Sequence, residues 1–138
     1  MSTQFFPLEG CLATANEVKT AMAASIMHLF KSSLTPDPST ATADYTAAEA
    51  DFDGYATITI AAWNVPILAP GTGYLISTPL MVFVWVFDTD SVGNVIAGCY
   101  CLDATGKNRL VVIFDNPIPM QQAGQGIQFY VNWLFPTS

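Results

Sequence analysis

The stretch Asp44-Tyr-Thr-Ala-Ala-Glu-Ala-Asp-Phe-Asp-Gly-Tyr-Ala-Thr-Ile-Thr-Ile-Ala-Ala-Trp63 decides how the chain is read. Its first half is acidic and turn-rich: Asp44, Glu49, Asp51 and Asp53 lead into an Asp-Gly turn at Asp53-Gly54. Read alone, that half is a solvated loop. In the second half, Tyr55, Thr57, Thr59, Ala61 and Trp63 fall on one side and Ala56, Ile58, Ile60 and Ala62 on the other. A period of two is the pattern of a strand. Neither half holds a catalytic constellation.

C-terminal to this stretch, Pro66, Pro70, Gly71 and Gly73 mark a connecting loop. The run Leu80-Met-Val-Phe-Val-Trp-Val-Phe87 is apolar on both faces. Such a strand is expected where both faces are covered, inside a sandwich or at a subunit contact. Asp88-Thr-Asp90 ends it, and residues 91 to 93 turn the chain. Residues 94 to 102 and 109 to 115, joined through Thr105-Gly-Lys107, form the clearest hairpin. Asn116-Pro-Ile-Pro-Met120 cannot be a central strand, because proline has no amide to give a ladder. A glutamine- and glycine-rich turn leads to a last strand over 127 to 135, with Ile127, Phe129, Val131, Trp133 and Phe135 on one face.

N-terminal to the opening stretch, Thr35-Pro-Asp-Pro-Ser-Thr40 is a loop, since residues before proline are driven to extended geometry. Thr46-Ala-Ala-Glu49 has capping-box spacing and predicts one helical turn. Thr14-Ala-Asn-Glu17 has it too and predicts a short helix over 15 to 24, with Val18 and Met22 on one face. The β-branched Ile26 and the loop beyond end that helix and start a strand near Ser25. Residues 1 to 13, with Phe5 and Phe6, form an apolar arm that folds back or crosses to a neighbour. The sum is five to seven strands spaced by Gly/Pro turns. The expected fold is therefore all-β: an antiparallel β-sandwich or jelly roll with a short N-terminal helix. Residues 1–23 are the arm and helix, and 24–138 the β-sandwich domain.

A chain of 138 residues suits one domain. About half of it is apolar and only 11% is charged, against roughly a quarter in ordinary globular chains. The shortfall points to apolar surface buried against other chains, the alternative being a monomer with a polar but uncharged Thr/Asn/Gln/Ser surface. Net charge is −7, and the four cations Lys19, Lys31, Lys107 and Arg109 are dispersed. Phosphate binding needs clustered cations, so nucleic acid is excluded as a partner, and an anionic membrane surface is disfavoured for the same reason. No segment reads as a signal peptide. The longest apolar run has eight residues, well short of the ~20 of a membrane-spanning helix. Cys11, Cys99 and Cys101 are an odd set expected to stay reduced; Cys99 and Cys101 share one face of a strand and read as buried small apolar residues.

Chemistry is sparse. The one histidine, His28, sits in the apolar run Ser-Ile-Met-His-Leu-Phe and reads as structural. The carboxylate pairs Asp51/Asp53 and Asp88/Asp90 have the residue types for glycoside hydrolysis or calcium binding, but Asp-x-Asp at a strand end is more often a solvated cap. Trp63, Trp85 and Trp133 fall at strand spacing and read as core rather than as sugar platforms. No catalytic residue, cofactor or metal ligand is assigned, and the chain is read as a non-enzyme.

Several blocks, in order, carry a resemblance. Met27-His-Leu-Phe-Lys31, a Thr-Pro loop, and Ala43-Asp-Tyr-Thr-Ala-Ala-Glu-Ala-Asp-Phe-Asp-Gly-Tyr-Ala56 are followed by Ile96-Ala-Gly-Cys-Tyr-Cys-Leu-Asp103, Phe114-Asp-Asn-Pro-Ile-Pro-Met120 and Gly124-Gln-Gly-Ile127. Over residues 24 to 135 the chain is similar to a group of small virion proteins of tailed bacteriophages. It departs from their pattern at Gln125, where an acidic residue is expected, and at the two cysteines flanking Tyr100. The resemblance implies a β-sandwich virion component on the head surface or on an attached fibre or spike. That role would make it a capsid decoration or cement protein, partnered by the major capsid protein or other virion proteins. It implies localisation in the virion after synthesis in the host cytoplasm. Closed symmetry on a capsid makes a homo-oligomer the expectation, a trimer first and a dimer second. The alternative is a receptor- or glycan-binding module of a phage fibre or spike.

Overall fold

A computed structural model describes residues 2–85, 93–122 and 124–138. Strands dominate, all in antiparallel pairs, with a helix at the N-terminus. The first strand, β1 (Ser25–Lys31), begins where the sequence places it. Its alternation sends Met27 and Leu29 into the main core and His28 and Phe30 to the opposite face. It pairs with β2 (Ile58–Ile60) on one side and β6 (Asn94–Leu102) on the other, and β6 pairs with β7 (Asn108–Met120), giving the order β2-β1-β6-β7. The expected hairpin is therefore present. A register shift between Ile96 and Gly98 lets Ile96, Cys99 and Cys101 all reach the main core. Opposite Phe30, Gly98 has no room for a side chain: a Cβ would run into the Val112 carbonyl and lie 2.8 Å from the Phe30 ring.

Pro117 and Pro119 lie inside β7, which is the edge strand of this sheet. An edge is where a strand tolerates a missing amide, and prolines there also blunt further pairing.

The remaining strands form a ribbon. β3 (Ile67–Ala69), β4 (Gly73–Ser77) and β9 (Asn132–Pro136) pair in the order β3-β4-β9, and β5 (Met81–Val84) pairs with β8 (Gly126–Phe129). Thr78 joins the two sheets: its amide donates to the Val131 carbonyl at 3.0 Å, and its hydroxyl accepts from the Val131 amide at 2.9 Å.

Several expectations are corrected here. The segment read as a loop around Pro66 to Gly73 contains β3 and the start of β4; its prolines bracket a three-residue edge strand, and Gly71, at φ 76°, makes the turn. The strand expected over 55 to 63 shortens to β2, because Tyr55 and Trp63 leave the ladder for the core side. The strand expected over 127 to 135 divides into β8 and β9, which pair with different strands, yet its alternation persists across the break. In β5, Met81 and Phe83 are buried, as is Trp85 just beyond, while Leu80, Val82 and Val84 are exposed. Among the described residues only one face of that strand is covered. Phe87, Asp88 and Asp90 lie outside the described residues.

The N-terminal helix α1 spans Leu8–Ala21, seven residues earlier than the capping pattern implies at its start. Thr14 and Glu17 are mid-helix, and no side chain caps the N-terminus; the Pro7 carbonyl accepts the first helical bond from Cys11. The governing signal is the stripe Cys11, Ala15, Val18 and Met22, spaced to lie on one face and packed inward. Glu9 in the first turn and Lys19 in the last complement the helix dipole. Much of the supposed arm is therefore helix. The rest folds back: the Phe6 amide donates to the Thr137 carbonyl at 2.8 Å, leaving the rings of Phe5 and Phe6 exposed. The second helix, α2 (Thr42–Ala47), has six residues, more than the one turn expected, and begins four residues ahead of Thr46. No helix among the described residues is long and apolar enough to cross a membrane.

Candidate functional site

The outer face of the four-stranded sheet carries a polar cluster around His28. β1 and β6 place His28 directly opposite Tyr100, and the two rings stack at 4.7 Å with planes 11° apart. The stretch 48 to 50 continues the edge of β1 beyond β2: the Lys31 amide donates to the Ala48 carbonyl, the Ala50 amide to the Leu29 carbonyl, and Glu49 falls opposite Phe30. This rung brings the Glu49 carboxylate over the sheet, where its Oε2 lies 2.6 Å from His28 Nδ1 and accepts from the Tyr55 hydroxyl at 2.7 Å. The Tyr55 hydroxyl in turn accepts from the Leu29 amide at 3.0 Å. Against a carboxylate acceptor, His28 carries its proton on Nδ1. α2 closes the cluster from above: Tyr45 packs on Tyr100 at 5.2 Å and edge-on to Phe30 at 5.7 Å.

Burial sets the electrostatics. It pushes the Tyr100 phenol up to about 12, with the nearby Glu49 charge adding to the shift, and drives Tyr55 well above the ordinary phenol range. Neither titrates near neutrality. His28 Nε2 is buried without a hydrogen-bond partner among the described residues. A histidine acting as general base must reach a substrate proton; here one nitrogen is held by Glu49 and the other is sealed. Cys99 and Cys101 point into the core on the other side of the sheet, and burial pushes the Cys99 thiol up to about 12. The cluster holds the 45 to 55 stretch against β1, which makes its role structural. A reading of the acidic half as solvated loop is corrected on this point: Tyr45, Ala48, Ala50 and Phe52 are buried. Asp51 is exposed but exchanges two 2.7 Å bonds with buried Asn94, and Lys31 Nζ lies 3.6 Å from it.

A second polar centre was not read from the sequence. Asp103, buried at the end of β6, accepts from the Thr105 amide and hydroxyl, the Lys107 amide at 3.0 Å and Arg109 Nε at 2.8 Å. Bonds from Thr105 and Arg109 hold its carboxyl well below the usual carboxylate range. The available signal was Asp-x-Thr-Gly, an Asp side chain folding onto its own turn, with Gly106 at φ 86°. Beside it, a cleft of about 540 Å³ opens between the proline loop and β7, lined by Pro36, Pro38, Tyr45, Arg109, Leu110 and Ile113 among others.

Among the described residues no group of three or more His, Cys, Asp or Glu side chains is placed to hold a metal ion. Trp63 and Trp85 are fully buried, and half-buried Trp133 stacks on Phe135 at 5.7 Å, so their core placement is as expected. No family model, curated protein or solved structure matches the chain.

Proposed function

We propose that this chain is a structural protein of a tailed-bacteriophage virion, a capsid decoration or cement protein that acts through protein–protein contacts. In this reading the sheets form the layers of a β-sandwich of jelly-roll type. The chain works as a homo-oligomer, a trimer or a dimer, on the major capsid protein or another virion protein. The observation that carries it is the outward face of β5: Leu80, Val82 and Val84 stand exposed in a chain with 11% charged residues. An apolar sheet face left open calls for another chain to cover it. The exposed rings of Phe5 and Phe6 offer a second apolar contact, and the block resemblance to small phage virion proteins supplies the setting. The purified chain, added to particles that lack it, should bind at a fixed ratio to the head subunits and raise the temperature at which heads open. Absence of binding would overturn the reading.

The cleft beside Arg109 favours a second reading, a receptor- or glycan-binding module of a fibre or spike. Its volume falls in the range of small-molecule sites, and it combines apolar walls with a cation. Binding on a glycan array that is lost in Arg109→Ala would support this reading.

A further inference from the structure

Residues 54 to 87 and 116 to 138 contain no Asp, Glu, Lys or Arg; all 11 acidic and four basic residues fall in 1 to 53 and 88 to 115. The fold brings the two uncharged segments together. They supply β2, β3, β4, β5, β8 and β9, and β4 and β5 pair along their length with β9 and β8. On the ribbon side away from the core, Ile67, Leu75 and Leu134 form one row across three strands, and Leu80, Val82 and Val84 continue along β5. Tyr130, between β8 and β9, is 61% exposed, and Leu80 and Val82 are 60% and 49% exposed. The polar side chains interspersed here, Ser77, Gln128 and Asn132, are neutral hydroxyls and amides that both donate and accept.

We propose that this uncharged ribbon face joins copies of the chain to one another. The inference rests on the oligomeric reading above and names its surface. The choice of a second copy follows from charge. The molecule carries −7, and among the described residues its carboxylates stand on α1, on the 37 to 53 stretch over the outer sheet face, and along the β6–β7 hairpin. Two copies meeting through any of those surfaces would bring like charges together and desolvate them. Through the ribbon strands, which carry no Asp, Glu, Lys or Arg, they bury no charge of the described residues. Hydroxyls and amides pair with their own kind, as a contact between identical subunits requires. At ordinary strand spacings residues 73 to 84 and their partners make a face at most roughly 40 Å long and 10–15 Å wide, about 400–600 Å², the same order as the ~800 Å² per partner in a standard interface.

The test is native mass by light scattering across a concentration series, for the wild-type chain, the pair Val82→Glu/Leu134→Glu, and Ile113→Glu on exposed β7 as a control. The wild type and Ile113→Glu are expected as the same dimer or trimer, and the double variant as a folded monomer by near-ultraviolet circular dichroism. If that pair misfolds, the uncharged Val82→Thr/Leu134→Gln is expected to raise the dissociation constant at least about tenfold. Retention of the wild-type mass by folded ribbon variants would overturn the ribbon assignment and leave self-association standing. A wild type that is monomeric throughout would overturn self-association itself.

Discussion

Glu49 receives a His28 imidazole and a Tyr55 hydroxyl on one carboxylate oxygen, so removing it strands two largely buried polar groups. Unsatisfied buried donors cost about 1–3 kcal/mol each. Glu49→Ala should therefore lower the unfolding free energy by up to about 2–6 kcal/mol, read as a lower urea midpoint, and Glu49→Gln by less; a midpoint unchanged within error in Glu49→Ala would refute the structural role. The sequence conveyed half of this site. The apolar neighbours of His28 marked it as structural, but Glu49 was assigned to a capping box, because that pattern tests only a spacing of three. Its true partner lies 21 residues away and is set by a β-bridge that no local pattern encodes. Asp103 allows a second prediction. Its carboxyl is depressed in the folded chain, so its stabilisation is fully present above the unfolded value of about 3.9 and is lost as pH falls through the lower folded value. Asp103→Asn should unfold at lower urea than wild type at pH 7 and pH 5, and the gap should narrow below pH 4. A gap independent of pH would contradict the assignment.

Among the elements, α1 separates two signals that the sequence offers at once. The capping box at Thr14 and the stripe through Cys11, Ala15, Val18 and Met22 imply different starts, and the stripe governs because burial outweighs one hydrogen bond. Thr14→Ala discriminates directly. Loss of a helix cap costs about 1 kcal/mol, whereas an exposed mid-helix Thr→Ala is neutral or stabilising by a few tenths. Thermal melting should show no loss of stability. A clear drop would restore the cap. The strands β1 and β6 and the first part of β7 were legible because their alternation is strong and their turns carry glycine. β3 and the start of β4 were hidden by the same chemistry, since two prolines and two glycines around a three-residue strand and at the head of a five-residue one read as loop. The break between β8 and β9 was invisible for another reason: alternation reports which face is buried and not which neighbour is paired.

For the whole molecule, composition announced a shortage of charge, but its location needed the strand order. Two segments far apart in the chain, each free of ionisable Asp, Glu, Lys and Arg, become one surface only when β4 and β5 meet β9 and β8. The acidic groups of the described residues lie on other elements, giving those residues one side suited to apolar contact and one suited to water. A virion component that must be held by neighbours while facing solvent has use for both sides. The measurement that tests this account most directly is quantitative mass spectrometry of density-purified phage particles, with immunogold labelling of the same preparation. A virion protein of the head surface should be present in fixed ratio to the major capsid protein and label the head. Absence of the chain from purified particles, with abundance only in the infected-cell lysate, would contradict the account.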